Sequence, residues 1–367
     1  MQRWRGLESV PAGWGRCVTT VGVFDGVHRG HRTIIGRAVE RAREAGLPSV
    51  LLTFDPHPSE VVRPGTHPAL LTTHRYRAEL VEALGVDVFC VLPFTPEFAR
   101  LEPAEFVHRV LVERLHTAAV VVGENFRYGR KAAGDVATLR ADGARFGFAV
   151  EGVTLFGESD TTYSSTYVRA CVDAGDVEQA ARALGRDHRV EGVVVRGDRR
   201  GRQLGYPTAN VEPVPSSAVP ADGVYAGRLL RWSPPGGEVG DGTGPAAVGP
   251  ARSGSGERPA GQQVPVVDAM EPAGKIMRLP AALSIGTNPT FSGRERRVEV
   301  HVFDPDGGPP PDLDLYGERV GVEFVARLRD MVRFDSVEAL LRQMAGDVAR
   351  CRQLVRPPGA PRAGSPD

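Results

Sequence analysis

The first half of the chain alternates short apolar runs with longer segments of helical spacing. Apolar, β-branched runs of strand length lie at Cys17–Phe24, Ser49–Phe54, Asp87–Leu92, Ala118–Gly123 and Phe148–Val153. Between and after them, apolar residues recur every three or four positions, at Gly30–Ala45, Thr73–Leu84, Pro103–Leu115, Val136–Phe146, Thr166–Ala174 and Val177–Leu184. Apolar strands separated by helices of this length indicate βαβ units. The pattern therefore predicts an α/β N-terminal domain built on a parallel sheet that is covered on both faces.

The pattern changes in the second half. Short β-rich runs separated by Gly and Pro lie at Arg189–Val195, Val224–Trp232, Ala281–Ile285, Arg297–Phe303 and Arg319–Val325. One helix follows, Ser336–Leu354, with Ser336 as its N-cap and Glu338 in its first turn. Runs of this spacing favour a small antiparallel β-barrel followed by a C-terminal helix. We place the domain boundary near Arg186, which gives domains at 1–185 and 186–355.

Composition adds two segments that belong to neither fold. The 367 residues include 44 Gly and 30 Pro, an excess that calls for many turns or for disorder. Ten of the Gly and seven of the Pro fall in residues 233–275, which contain no aromatic, Leu or Ile. Such a segment buries too little apolar surface to offset its ordering entropy. We predict that 233–275 is a disordered insertion in the second domain and that 356–367 is a disordered tail.

Charge and cysteine usage exclude several classes of protein. The chain has 45 basic and 45 acidic side chains, which argues against a protein that coats nucleic acid or an anionic membrane. No apolar run reaches membrane-spanning length, and the N-terminus does not resemble a secretory signal. The four cysteines stand far apart, which disfavours a disulfide frame or zinc site. We expect a cytoplasmic protein without nucleic-acid or membrane partners; the sequence leaves its oligomeric state open.

The most specific local pattern is GVFDGVHRGH at residues 22–31. It follows a predicted strand and opens a predicted helix, where free N–H groups and the helix dipole favour anions. Gly26 and Gly30 allow a phosphate to approach the backbone, and His28 and His31 would donate hydrogen bonds to its developing charge. The alternative is a pair of capping or metal-binding histidines.

Three further segments accompany it. Ligands of open parallel sheets bind beyond the carboxyl ends of the strands, so three of the four segments converge on one region. The further segments are TFDPHP at 53–58, GENFRYG at 123–129 and SSTYVR at 164–169. Phe54, Phe126 and Tyr128 would stack on flat rings, or would only pack in the core. The polar candidates are Asn125 for a flavin or ribose edge or a phosphate, Ser164, Ser165 and Thr166 for phosphate, and Arg169 for the leaving group. For the hydroxyls, the alternative is a plain N-cap.

The second half contains a basic, glycine-rich loop between two extended segments, GVVVRGDRRGRQLGYPTANV at 192–211. Gly197, Arg202 and Gly205 would contribute to a backbone nest for phosphates. Thr208 and Asn210, two apart on an extended stretch, point to one side and offer the hard oxygen ligands that suit Mg²⁺. The alternative is a solvated arginine loop before an edge strand.

Both halves resemble one known family. The first pattern resembles the HxGH signature of nucleotidyltransferases, and its wider form GxFDGxHxGH resembles the prokaryotic bifunctional riboflavin kinase/FMN adenylyltransferase (FAD synthetase) family. The 192–211 segment is similar to the riboflavin kinase signature, and IGTNPTF at 285–291, EVH at 299–301, DLYG at 314–317 and FVARLRD at 324–330 resemble its later segments.

The resemblance implies a Rossmann-like nucleotidyltransferase domain that adenylylates FMN to FAD with release of pyrophosphate. It also implies a barrel domain that phosphorylates riboflavin to FMN. ATP would be the co-substrate of both reactions, and both would need Mg²⁺. In the barrel, Glu299 would be the general base and Arg329 a flavin contact.

Some positions depart from the family pattern. Thr162 and Tyr163 stand where the family commonly has a basic residue and then Ile or Val, Arg196 replaces the usual His, and Met331 stands where Glu is frequent. Two other functions therefore remain open. One is adenylylation of a different phosphorylated small molecule, and the other is a flavin-binding regulatory role with one activity impaired at Thr162 or Met331.

Overall fold

A computed structural model describes residues 1–154, 157–158, 161–197, 204–232, 276–290, 293–306 and 313–355 of the chain. The predicted disordered segments, 233–275 and 356–367, and the candidate Arg202 lie outside the described residues.

Six strands form a parallel sheet in the first half, in the order β1-β4-β3-β2-β5-β6. Every neighbouring pair in it is parallel, as predicted. The strands are β1 (Gln2–Arg5), β2 (Cys17–Val21), β3 (Ser49–Asp55), β4 (Val88–Pro93), β5 (Thr117–Gly123) and β6 (Ala149–Val153). A small antiparallel pair, β7 (Gly157–Glu158) and β8 (Thr161–Thr162), follows the sheet.

Helices cover both faces of this sheet. Leu51 packs with Ile35, Val39 and Phe89, whereas the next residue, Leu52, packs in a separate cluster with Phe106. The helices are α1 (Arg29–Ala45), α2 (Pro58–Val62), α3 (His74–Glu82), α4 (Pro103–Phe106), α5 (Val136–Phe146), α6 (Ser165–Ala174) and α7 (Val177–Leu184). A π-helical turn at Val107–Val112 extends α4.

Six antiparallel strands of the second half close into a barrel, in the order β10-β13-β12-β11-β14-β9, as predicted. Val211, Leu283, Val298 and Phe324 belong to the apolar cluster in its interior. The strands are β9 (His188–Val195), β10 (Ala209–Pro213), β11 (Gly223–Trp232), β12 (Ile276–Thr290), β13 (Gly293–Val302) and β14 (Arg319–Arg329).

The C-terminal helix α8 (Val337–Leu354) packs on the outside of the barrel. Ser336 is its N-cap, as predicted, and the hydroxyl accepts a hydrogen bond from the Ala339 N–H at 3.1 Å. Val348 and Cys351 pack against Ala226 and Phe303. None of the helices in the described residues is both long and apolar enough to cross a membrane.

The sheet and the barrel are in direct contact. The Leu70 N–H donates to the Ser216 carbonyl at 2.7 Å, and the Leu70 carbonyl accepts from the Ala218 N–H at 2.8 Å. On another part of this contact, the Arg327 side chain donates to the carbonyl of Ala174, at the end of α6. The barrel therefore packs against the same helix whose first turn carries Ser164 and Ser165.

Candidate functional sites

The loop between β2 and α1 has a strained backbone. Phe24, Gly26 and Val27 all lie in the left-handed region, with φ of 51°, 84° and 40°. A β-branched residue such as Val27 rarely adopts this conformation, which costs on the order of 1–3 kcal/mol and persists only where surrounding contacts stabilise it. A Cβ at Gly26 would lie 2.8 Å from Leu71 Cδ1, so this turn needs glycine for space as well as for conformation.

The loop ends at two stacked imidazoles. The rings of His28 and His31 are 3.6 Å apart between centroids and 23° apart in orientation. His28 is also the N-cap of α1, because its Nδ1 accepts from the His31 N–H at 3.3 Å. A neutral His28 in this contact keeps its proton on Nε2, where it is available as a donor. The capping alternative is therefore true of His28 and compatible with a role toward phosphate.

Both imidazoles are neutral near pH 7. Burial lowers the pKa of His28 to about 4, with a further contribution from the cation of Arg186. Burial also lowers the pKa of His31 well below its usual range, and the neighbouring His28 ring adds to this effect. Two stacked cations in a buried site would repel each other, whereas each neutral ring still carries one N–H that can donate a hydrogen bond to a ligand.

Asp25 is the buried anion that organises this region. Its carboxylate accepts hydrogen bonds from the N–H groups of Leu71 and Thr72, from Arg77 at 3.2 Å and from Arg169 at 2.6 Å. Although burial alone would raise it, the pKa of Asp25 is lowered, because Arg77, the Leu71 N–H, Arg169 and the Thr72 hydroxyl favour the charged form. Asp25 therefore stays ionised and fixes Arg169 beside the loop.

A cavity of about 220 Å³ opens in front of the two histidines. Most of the predicted polar residues meet there: Ser164 caps α6 by accepting from the Tyr167 N–H, Ser165 donates to the Asp25 carbonyl at 2.8 Å, and Asn125 faces them. The cavity is lined by Val21, Gly22, Phe24, His28, Gly30, His31, Ile34, Gly123, Asn125, Phe126, Thr162, Tyr163, Ser164 and Ser165.

The remaining candidates of the first half lie behind or beside this lining. Arg169 is engaged by Asp25 and by the Ala69 carbonyl, and Thr166 is exposed. Phe54 belongs to an aromatic cluster with Phe94 and Phe98, at centroid distances of 5.4 and 5.9 Å.

Phe98, Phe106 and Tyr128 continue that aromatic cluster to Phe126. Tyr128 is buried and stacks on Phe126, with ring centroids 5.5 Å apart. Of the three predicted stacking residues, only Phe126 lines the cavity.

In the barrel, the strand register brings together the second set of candidates. Asn210 on β10 lies opposite Glu299 on β13, and Glu299 lies opposite Ser284 on β12. Their neighbours Val211 and Val298 point into the barrel, so by alternation Asn210 and Glu299 lie on its outer surface. Gly197 lies against the Asn210 amide, so closely that a Cβ there would overlap it.

Helix α8 covers the adjacent part of this surface. Arg329 lies in the same row of cross-strand neighbours as Glu299: the residues paired in this row are Glu299, Ser284, Val224 and Arg329. The Arg329 guanidinium pairs with Asp347 of α8 at 2.7 Å. Met331, at the edge of the row, lies 3.7 Å from the Ser284 hydroxyl through its sulfur.

His301 supports the segment that carries Thr208. Its Nδ1 lies 2.9 Å from the Pro207 carbonyl, and its ring contacts Tyr206. Thr208 is partly buried and Gly205 is exposed. Among the described residues, no three His, Cys, Asp or Glu side chains form a cluster suited to a metal ion.

Comparison with known proteins assigns the chain to a family. A family model for FAD synthetase matches residues 11–167, and a model for riboflavin kinase matches residues 184–355. The bifunctional riboflavin kinase/FMN adenylyltransferase of Pseudomonas fluorescens is 35% identical over 358 residues, which are 97% of this chain and 99% of that protein. The chain belongs to the bifunctional riboflavin kinase/FMN adenylyltransferase family.

Other relatives extend this likeness. The family member from Escherichia coli K12 is 32% identical over 338 residues, 92% of each chain. A solved structure, named as a macrolide-efflux protein from Streptococcus pneumoniae, superimposes with a TM-score of 0.75 at 27% identity and covers 96% of this chain and 99% of its own. The likeness therefore spans both the sheet and the barrel.

Several residues that shape the sites have no role in the sequence patterns. Asp25 lies within GVFDGVHRGH but is assigned nothing by it, and Arg77 and Arg186 lie outside every motif. The only available signal is polarity where burial is expected: Arg77 lies on a short amphipathic helix and is 2% exposed. The contact between Arg77 and Asp25 joins residues 52 positions apart, and the contact between Arg186 and Gly26 joins residues 160 apart, which motif spacing does not reveal.

Proposed function

We propose that the chain makes FAD from riboflavin in two transfers from ATP. In the first, the barrel half, residues 186–355, phosphorylates riboflavin to FMN and releases ADP. In the second, the sheet half, residues 1–185, joins FMN to the adenylyl group of ATP and releases pyrophosphate. The observation that carries this proposal is the match of two family models. The FAD synthetase model matches the sheet half, at residues 11–167, and the riboflavin kinase model matches the barrel half, at residues 184–355.

For adenylyl transfer, the neutral histidines would act as hydrogen-bond donors at the start of α1. The FMN phosphate would attack the α-phosphate of ATP, and negative charge would build on that phosphate and on the departing pyrophosphate. The Nε2–H of His28, the ring of His31 and the N-termini of α1 and α6 would stabilise that charge. Catalysis would then consist of positioning and charge stabilisation, without a covalent intermediate.

Asn125, Ser164 and Ser165 would bind ATP phosphates from the other walls of the cavity, and Gly26 and Gly30 would allow the close approach. Thr166, at the start of α6, and Arg169, fixed by Asp25, would reach the pyrophosphate side. Phe126, supported by Tyr128, would stack on a flat ring, and Phe54 would contact the same ligand from the aromatic cluster.

For phosphoryl transfer, Glu299 would take the proton of the riboflavin 5′-hydroxyl as that oxygen attacks the γ-phosphate. Gly197, Arg202 and Gly205 would bind the ATP phosphates, and Arg329 would contact the flavin. The oxygen-only donor set of Thr208 and Asn210, with the Asn210 amide directly beside the phosphate loop, fits Mg²⁺. When bound, Mg²⁺ would neutralise phosphate charge in the transition state.

The test is to incubate the full chain with riboflavin, ATP and Mg²⁺ and to resolve FMN and FAD by chromatography. We expect both products. His28→Ala should stop FAD formation and leave FMN formation intact, whereas Glu299→Ala should stop FMN formation and leave FAD formation from supplied FMN intact.

Two matched controls remove the same side chains at exposed positions, His108→Ala and Glu338→Ala, and both should behave as wild type. Absence of FMN from the wild-type reaction would refute the kinase proposal. Equal losses of both activities in both site variants would refute the division of the two sites between the halves.

A further inference from the structure

We propose that Arg186, which lies in the segment matched by the riboflavin kinase model, is a positioning residue for the adenylyl-transfer site in the other half of the chain. The proposal deepens the function proposed above and rests on it. It is carried by the contacts that Arg186 makes with the strained loop before His28.

Arg186 follows the last turn of α7 and reaches back across the chain to that loop. Its guanidinium donates to the Gly26 carbonyl at 2.6 Å and to the Val27 carbonyl at 3.2 Å. It also donates to the Tyr76 hydroxyl at 3.0 Å, and its plane lies over the Tyr76 ring at 5.3 Å. The planar, five-donor guanidinium can make these contacts together, which the single ammonium of a lysine does less well.

The two carbonyls flank the strained backbone of Val27, because one belongs to Val27 and the other to the residue before it. Gly26 and Val27 both have positive φ, and the peptide after Val27 leads directly into His28. If the two carbonyls were released, Val27 could return to negative φ and the backbone entering His28 would rotate. A displacement of about 1 Å in a catalytic group can reduce a rate by as much as 100-fold.

Arg186 also contributes to the charge state of the site. The charged groups that face His28 are Asp25, Arg169 and Arg186, and the uncharged His31 ring stacks on it. After burial, Arg186 contributes most to the low pKa of His28. A neutral His28 can accept the His31 N–H at Nδ1, whereas a protonated ring cannot. The cation of Arg186 therefore favours the same N-cap that its hydrogen bonds position.

The experiment compares full-length Arg186→Gln, which removes the charge and the paired N–H donors of the guanidinium, with Arg186→Lys, which retains the charge. The matched control is Arg228→Gln. Arg228 pairs with Asp187, the next residue along the chain from Arg186, at 2.9 Å. For each variant we would measure kcat and KM for FAD formation from FMN and ATP, FMN formation from riboflavin, and the NMR titration of the His28 ring.

We expect Arg186→Gln to lower kcat for FAD formation about 10- to 100-fold with FMN formation unchanged. In this variant, the acid limb of the pH–rate profile for FAD formation should move to higher pH. The midpoint of the His28 titration should move in the same direction. Arg186→Lys should show a smaller loss of kcat and no shift of the acid limb, and Arg228→Gln should match wild type. The Lys variant thereby separates geometry from charge.

The proposal would be overturned if Arg186→Gln formed FAD at the wild-type rate and its pH profile were not shifted. If Arg186→Gln loses both activities together, Arg186→Lys decides: slowed FAD formation with normal FMN formation supports the proposal, and equal loss of both overturns it. A wild-type chain that forms no FAD would instead refute the proposed function. The His28 titration would then still test the contact, since an unshifted midpoint in Arg186→Gln would count against it.

Discussion

At the scale of single residues, His28 combines two tasks that can be separated by substitution. Its Nδ1 caps α1, and its Nε2 is the atom available to a ligand. Among natural residues, Asn is one of the best N-caps because its side-chain oxygen accepts from the same backbone donors. It lacks the imidazole, however, and does not reach as far.

We therefore expect His28→Asn and His28→Ala to differ in stability and to agree in activity. Both variants should lose FAD formation. Only the Ala variant should lose the cap, at a cost of about 0.5–2 kcal/mol in the free energy of unfolding. Urea unfolding and the FAD assay on the same preparations measure the two effects. Retention of FAD formation by His28→Asn would mean that the histidine is only a cap.

Buried neutral histidines also make stability depend on pH. Burial lowers the pKa of His188 to about 4, while its Nε2 lies 2.7 Å from the Ala218 carbonyl. The unfolded chain, with a histidine pKa of about 6.5, binds this proton more readily than the folded chain. The contribution of His188 is thus fully present above about pH 6.5 and is lost as the pH falls toward about 4.

From this difference, we expect lowering the pH from about 7 to about 5 to cost the wild type roughly 2 kcal/mol through His188 alone. His188→Gln removes the titrating group and keeps an amide donor for Ala218. The variant should therefore lose less stability over the same interval, as measured by urea unfolding at both pH values. Parallel losses in the two proteins would contradict the shift.

At the scale of elements, the sequence predicts helices and strands that have a repeating apolar pattern and misses very short strands. Helix α5 begins and ends where its periodicity predicts, and α1 ends at the predicted Ala45 with Gly46 as its C-cap, because apolar spacing and glycine caps are local signals. Strand β1 was not predicted, since Gln2–Arg5 is a four-residue edge strand without alternation. Strand β12 spans Ile276–Thr290 and is longer than the predicted Ala281–Ile285. The hydrogen bonds of the barrel extend it at both ends beyond its apolar part.

The candidate sites divide in the same way. Motifs predict His28, His31 and Asn125, which line one cavity, and Asn210 and Glu299, which face each other across two strands. They do not predict the groups that fix the loop, such as Asp25 and Arg186. The contacts of those residues depend on how α3, α6 and α7 pack, which is a property of the tertiary structure.

Two glycines in helix interiors provide a test at this scale. A Cβ at Gly36 in α1 would meet nothing within 4 Å, whereas at Gly143 in α5 it would lie 2.6 Å from the Phe148 carbonyl oxygen. Gly36→Ala should raise the free energy of unfolding by about 0.4–1 kcal/mol, because alanine is the better helix former. Gly143→Ala should lower it by about 1–3 kcal/mol through overpacking. Urea unfolding of both variants measures this contrast, which equal shifts would contradict.

At the scale of the whole molecule, a buried charged cluster joins the sheet half to the barrel. Glu191 on β9 is 2% exposed and accepts hydrogen bonds from Thr73 at 2.8 Å, from Arg75 at 2.9 Å and from Arg189. Both guanidinium groups also lie over the Trp232 ring, at 4.2 and 4.7 Å. Thr73 is the neighbour of Thr72, which binds Asp25, so this cluster lies one residue from the network that organises the proposed adenylyl-transfer site.

Removing the charge of Glu191 tests how strongly the two halves depend on each other. A buried ion pair contributes little compared with an apolar replacement, but removing one partner leaves the other charges buried and costs about 3–5 kcal/mol. Here Arg75 and Arg189 would both lose the buried Glu191 anion and keep only Glu79, the more exposed carboxylate with which each also pairs. We therefore expect Glu191→Gln to lower the urea midpoint strongly and to separate one cooperative transition into two.

The matched control is Glu44→Gln, because Glu44 also pairs with two arginines, Arg37 and Arg41, but lies in solvent on α1. Its midpoint should stay at the wild-type value, since exposed ion pairs are screened. Tryptophan fluorescence reports on Trp4 and Trp14 in the sheet half and on Trp232 in the barrel, and differential scanning calorimetry counts the transitions. A single transition at the wild-type midpoint in Glu191→Gln would mean that the backbone and apolar contacts between the halves suffice without the charged cluster.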